Sequence, residues 1–220
     1  MTENVYSFIG CDFGQAQDYT AIAYADRKGN TLEYRHIERL KLGTRYDDQI
    51  KRIKEVWDAV SDETGKTPIL IVDYTGVGRP IVENMRKENL FPIAVTVTGG
   101  TTSHKDGKNW TVPKKELVLP FIIGVQNGTV KLVEGHDYSN VIIDEMLNFK
   151  MKINIATGNE SFEAWRERDH DDLVFAAALV AYAAKNANTG IGWITRNPFA
   201  GKYACDGFTD WRRDRYKNLV

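Results

Sequence analysis

Residues 170–184 read HDDLVFAAALVAYAA. From Leu173 to Ala184 almost every position is Ala, Val, Leu, Phe or Tyr. The run is too short for a membrane span and too uniformly apolar for a one-sided surface helix. It predicts a helix over 171–185 that is buried on most sides, with alanines small enough to let a sheet approach closely. Two acids, Asp171 and Asp172, open it.

Working outward, two more acids close apolar segments. Asp12 ends the strand-like VYSFIGCD, and Asp73 ends the continuous apolar run PILIVD. Such a run is the pattern of a buried, parallel strand. After Asp12, GQAQD makes a turn, and TAIAYAD with KGNTLEYRHIERL reads as a hairpin about Lys28-Gly29-Asn30, giving a three-strand meander. Between the two acid-bearing strands, Ile50, Ile53, Val56, Trp57 and Val60 recur at helical spacing, with Asp47 and Asp48 in the first turn. RPIVENMRKEN predicts a helix with Pro80 in its first turn, completing a crossover unit, and FPIAVTVTG a further strand. The polar, basic GGTTSHKDGKNW is expected to be a mobile loop. VPKKELVLPFIIGVQNG reads as helix, TVKLVEG as a short strand, residues 138–148 as helix, and 149–165 as a segment with room for a hairpin.

With 220 residues, 42% hydrophobic and 27% charged, the chain is long enough for one well-filled core. We divide it into a body over 1–186 and an aromatic, basic tail over 187–220. No membrane span is expected, and MTENVYSF lacks the basic start and apolar stretch of a secretory signal, so the expected setting is cytoplasmic. Cys11 and Cys205 have no metal-site spacing and are expected to be free thiols. The net charge of −1 excludes a uniformly basic nucleic-acid binder, but the charge is uneven. Lys105, Lys108, Lys114 and Lys115 face only Asp106 and Glu116 over 99–116, and six basic residues face three acids over 196–217. Two basic segments therefore stand on an acidic body, an arrangement compatible with a nucleic-acid partner.

Carboxylates at strand ends suit hard divalent cations, which prefer oxygen ligands and leave room for water and phosphate. If the strands of Asp12 and Asp73 are neighbours, both acids emerge at one sheet edge, and the 171–185 helix can deliver Asp171 and Asp172 to it. Two ions held there would clamp a phosphodiester. Each acid also has a plain alternative: Asp12 as a turn residue, Asp171 and Asp172 as helix cap and dipole partner. Asp73 is harder to explain in that way, since it ends so apolar a run.

Taken together, IGCDFGQAQDYTAIAYAD, LIVDYTGVGRPIVENM, VTVTGG with VPKKELV, and HDDLVFAAALVAYAA resemble the C-terminal nuclease domain of the large terminase subunit of tailed bacteriophages, over about residues 5–186. The resemblance implies an α/β, ribonuclease H-like fold: a central mixed sheet, including the antiparallel three-strand meander, with helices on both faces. It implies a Mg²⁺- or Mn²⁺-dependent endodeoxyribonuclease that uses two ions and little sequence specificity to cut viral DNA during packaging. Asp12 would be the bridging acid, Asp73 the second, and Asp171 or Asp172 the third. Asp18 and His170 are candidates for an outer shell, with turn and pre-helix roles as their alternatives. Lys105, Lys108, Lys114 and Lys115 are candidate contacts to DNA phosphates.

Double-stranded DNA, a packaging ATPase domain, the portal and the small terminase subunit are the implied partners. No G-x-x-x-x-G-K-[ST] motif is present, because Val60 stands where the first glycine before Gly65-Lys66-Thr67 would be needed, so the ATPase is expected outside this sequence. A junction resolvase or transposase is the nearest alternative of the same fold. An ATP-binding module of the actin and sugar-kinase superfamily is the alternative from another class, which the chain length opposes.

Overall fold

A computed structural model describes residues 5–14, 18–132, 138–155 and 171–186. The described strands are β1 (Val5–Asp12), β2 (Ala21–Lys28), β3 (Thr31–Arg39), β4 (Ile69–Asp73), β5 (Ile93–Thr98), β6 (His104–Asp106), β7 (Asn109–Pro113) and β8 (Val130–Lys131). The helices are α1 (Tyr46–Thr64), α2 (Gly78–Lys87), α3 (Lys114–Gln126), α4 (Ser139–Ile155) and α5 (Asp172–Asn186). The strands form one mixed sheet in the order β6-β7-β5-β4-β1-β2-β3-β8. β1, β2 and β3 make the expected antiparallel meander, and β4 lies parallel to β1 on its other side.

Strand periodicity divides the core into two layers. Phe8, Ala21, Ala23, Ala25, Ile71 and Val95 face one side, where α3, α4 and α5 pack. Ile9, Cys11, Ile22, Tyr24, Leu70 and Val72 face the other, against α1 and α2. Cys11 is a buried free thiol, and burial pushes its pKa well up, as suits an inert packing residue. The alternation predicted from sequence therefore becomes a three-layer sandwich with helices on both faces of the sheet.

Helix α5 lies at the centre of the first layer, and every residue from Asp172 to Ala184 is buried. It touches the sheet so closely at β1 that only glycine fits. A Cβ on Gly10 would lie 2.3 Å from the Ala176 carbonyl oxygen and 2.8 Å from Val180 Cγ2. Polar contacts fix the helix along its length: Glu145 of α4 accepts the Val174 N–H at 2.9 Å, Tyr34 donates to the Ala177 carbonyl at 2.6 Å, and Arg27 donates to the Ala184 carbonyl at 2.7 Å. The Arg27 contact places a cation at the negative end of the helix dipole.

One irregularity in the meander matters for the site. Ala25 pairs with Tyr34 and Tyr24 with His36, so Arg35 is an extra residue opposite the β2 chain, a β-bulge. The bulge reverses the parity of β3. Leu32 and Tyr34 before it and Ile37 after it all belong to the α5-side core. Arg39, opposite Ala21, continues on that side, and Glu38 turns to α1, where Arg52 binds it.

Two expectations change. Residues 104–113, expected within and just after a mobile loop, fold into the β6–β7 hairpin, anchored by Trp110, which is buried and pairs across to Lys105. The segment from 149, expected to hold a hairpin, begins as a continuation of α4 through Ile155, and residues 156–165 lie outside the described residues. The tail over 187–220 and His170 also lie outside them.

Candidate metal centre

The site follows from how β1, β4 and α5 meet. The parallel pairing of β1 and β4 runs through Cys11 and Val72, so Asp12 and Asp73 stand one step further along neighbouring strands. Alternation puts Asp12 on the face of Phe8 and Gly10, and Asp73 on the face of Ile71, which is the α5 side for both. From the Gly10–Ala176 crossing, two strand residues lead to Asp12, roughly 6.6 Å. Four helix residues back lead to Asp172, roughly 6 Å. Strand and helix thus carry their acids to the same end of the sheet.

The electrostatics agree with this placement. Burial, then Asp73, Asp172 and Asp171 in that order, push the Asp12 carboxyl well above the usual carboxylate range, and Lys114 pulls it back only weakly. Asp73 also organises the loop that follows it: its Oδ1 accepts the Thr75 N–H at 2.8 Å, and Thr75 Oγ1 accepts the Val97 N–H at 2.9 Å. The next turn needs glycine twice. Gly76 has a φ of 60°, and a Cβ on Gly78 would lie 2.2 Å from the Asp73 carbonyl oxygen.

Asp171 and Asp172 have different surroundings. The Asp171 carbonyl accepts the Phe175 N–H at 2.9 Å, making Asp171 the cap of α5, and its half-buried side chain pairs with Lys114 Nζ at 3.1 Å. Asp172 is buried, and Arg39 Nη2 lies 3.0 Å from its Oδ2. The same nitrogen binds Glu145, and the Arg39 guanidinium stacks on the Tyr19 ring, 4.8 Å from its centroid. Burial raises the Glu145 carboxyl to about 7 against the opposing pull of the Val174 N–H and Arg39.

Among the described residues, no three His, Cys, Asp or Glu side chains close into a finished ligand group. The donor chemistry nevertheless fits a hard cation. Asp73, Asp172 and Asp171 all act electrostatically on Asp12, and Asp171 and Asp172 are paired with Lys114 and Arg39.

The other candidates are divided: Asp18, Lys105 and Lys108 lie away from these acids, and Lys114 lies among them. Asp18 is exposed in the turn between β1 and β2, where its carbonyl packs on Gly14. Lys105 stacks on Trp110 and Tyr182 and bonds Asn186, tying the hairpin to the far end of α5. Lys108 donates to the Phe91 carbonyl at 2.8 Å. Lys114 is turned into the acidic centre, and Lys115, beside it, is exposed.

Arg39 and Glu145 were not legible as site residues in the sequence. A signal for Glu145 was present: in IIDEMLN it lies next to Met146 and three residues after Ile142, both buried, so a carboxylate occupies the inner stripe of a helix. Arg39 gave none, because simple alternation along β3 misses the bulge.

The architecture is ribonuclease H-like, with the acids gathered where the first strand, its parallel neighbour and the last described helix converge. The proteins it resembles are large terminase subunits. The chain is 27% identical over 182 residues to the large terminase subunit of Thermus phage G20c and, at the same identity and length, to that of Thermus virus P23-45. These matches cover 83% of this chain and 32% of each relative, so the chain spans about a third of their length. Among solved structures it is similar to the magnesium-bound large terminase nuclease of phage G20c, with TM-score 0.53, 22% identity and 81% of each chain covered. It is also similar to the manganese-soaked terminase nuclease domain of human cytomegalovirus, with TM-score 0.54, 13% identity, 83% of this chain and 85% of that one. No protein-family model matches the sequence.

Proposed function

We propose that this chain is the nuclease unit of a viral genome-packaging terminase, a divalent-metal-dependent DNA endonuclease with little sequence specificity. The observation that carries this reading is the meeting of Asp12 and Asp73, on adjacent parallel strand ends, with the α5 N-terminus that bears Asp172. The similarity to terminase large subunits, to a magnesium-bound terminase nuclease and to a manganese-soaked one supports it.

Asp12, Asp73 and Asp172 would hold two Mg²⁺ or Mn²⁺ ions, with Asp171 flanking them beside Lys114. When bound, the ions supply charge neutralisation of the phosphodiester and make water a competent nucleophile. The chain's own residues do the positioning. The Gly10 crossing sets the distance from helix to strand, the Asp73–Thr75 turn fixes the second acid, and burial in a closely packed layer limits stray solvent. Lys115, exposed and following Lys114 in the chain, would meet a backbone phosphate in this reading, a contact that orients DNA without reading its sequence. Double-stranded DNA is the substrate in this reading, and a packaging ATPase domain, the portal and the small subunit are its partners.

The test is nicking of supercoiled plasmid with Mg²⁺ or Mn²⁺. Cleavage that needs the ion and disappears in Asp12→Ala and Asp73→Ala supports the assignment. Equal cleavage by either variant refutes it.

A further inference from the structure

Arg39, Glu145 and Asp172 come from β3, α4 and α5, and meet in one buried cluster beside the proposed metal centre. A single nitrogen, Arg39 Nη2, is shared between Glu145 Oε1 and Asp172 Oδ2. Glu145 uses its second oxygen on the Val174 N–H, one of the amides in the first turn of α5 that has no partner within the helix. Glu145 therefore ties the helix backbone and the arginine together. Tyr19 covers the guanidinium, and the β3 bulge is what points Arg39 to this side of the sheet at all.

Such a cluster is a poor way to gain stability. Desolvating one cation and two anions costs several kcal/mol per ion, roughly what their attraction returns. Its effect is on position. Without the cation, Glu145 and Asp172 lose the one donor they share, and Asp172, in the opening turn of a helix, is the one with a direction in which to give.

Building on the nuclease reading above, we propose that Arg39, held in place by Glu145, is a positioning residue. It fixes the Asp172 carboxylate against the Asp12–Asp73 pair and so sets the affinity of the centre for a divalent cation. A partner that only orients a ligand commonly changes metal affinity by about 10–100-fold.

The experiment is a Mn²⁺ titration of the whole chain, followed by the electron paramagnetic resonance signal of free Mn²⁺, with thermal melting in parallel. Arg39→Ala is expected to weaken Mn²⁺ binding at least about tenfold. Arg39→Lys, which restores a charge without the planar fork, should recover most of the loss. Unchanged or tighter binding by Arg39→Ala overturns the proposal, since it would make Arg39 only a counter-ion competing with the metal. If Arg39→Ala does not fold, Glu145→Gln decides. It keeps an acceptor for Val174 but loosens the arginine, so weaker binding supports the proposal and wild-type binding overturns it. Asp12→Ala separates the two levels: if it binds Mn²⁺ like the wild type, the metal-centre reading fails, whatever Arg39 does.

Discussion

Replacing Glu38 by Gln isolates the contact that anchors the other face of β3. Burial alone would raise this carboxyl. The groups around it win: Arg52 Nε lies 2.8 Å from Oε1, Arg52 Nη2 3.0 Å from Oε2, and His36 Nε2 3.4 Å from Oε2. Together they lower its pKa from 4.5 to about 2. A shift of that size corresponds to about 3 kcal/mol favouring the folded state. The amide of Glu38→Gln would keep a neutral hydrogen bond worth about 1 kcal/mol, so the expected loss at pH 7 is about 2 kcal/mol.

The sign follows from the lowered value. The contribution is fully present above pH 4.5, declines as pH falls through the interval from 4.5 to 2, and is gone below it. Urea unfolding of both proteins at a series of pH values between 7 and 2.5 measures this directly, provided the two share a slope. A gap that narrows steadily with acid supports the reasoning. A gap of the same size at both ends, or none at pH 7, refutes it.

Two further outcomes are expected. Gly10→Ala forces a methyl into the Ala176 carbonyl, so it should cost about 1–3 kcal/mol in urea unfolding. Shifting α5 by even ~1 Å should also lower cleavage about 100-fold, and a variant of wild-type stability would show that the contact is looser than described. Asp12→Asn should abolish cleavage while raising the thermal midpoint at pH 7 without metal. The Asp12 carboxyl is raised on folding, so its ionised form weakens the fold as pH climbs, and a neutral amide is spared that penalty. A lowered midpoint in the Asp12→Asn protein would count against a crowded acidic centre.

The sheet, the crossover and the central helix were legible because each is a periodic pattern with a local cause. PILIVD could hardly be anything but a buried strand, and the alanines of α5 announced close packing. The pairing of Asp12 and Asp73 was legible only as a condition, that their strands be neighbours, and the parallel register meets it. Lys105 and Lys108 read as a basic patch, yet both are bound to the fold itself, because a lysine stem close to an aromatic ring gains by lying along it. Sequence counts charges but does not show which are already taken. Arg39 was hidden for a different reason. One extra residue at Arg35 exchanges the sides of everything that follows it in the strand, and nothing in LEYRHIER marks where the exchange occurs.

The acid-bearing strands and the acid-bearing helix also differ in when they can arrive. β1, β2 and β3 are joined by short connections, and β4 follows after one helix, so the Asp12–Asp73 edge can assemble from the first third of the chain. Helix α5 is about a hundred residues further on, and it covers the alanine-rich floor of β2 that until then is open to water. A growing or partly unfolded chain would thus carry two of the acids and a bare apolar face prone to self-association. Docking of α5 then closes the core and completes the acidic set in one event.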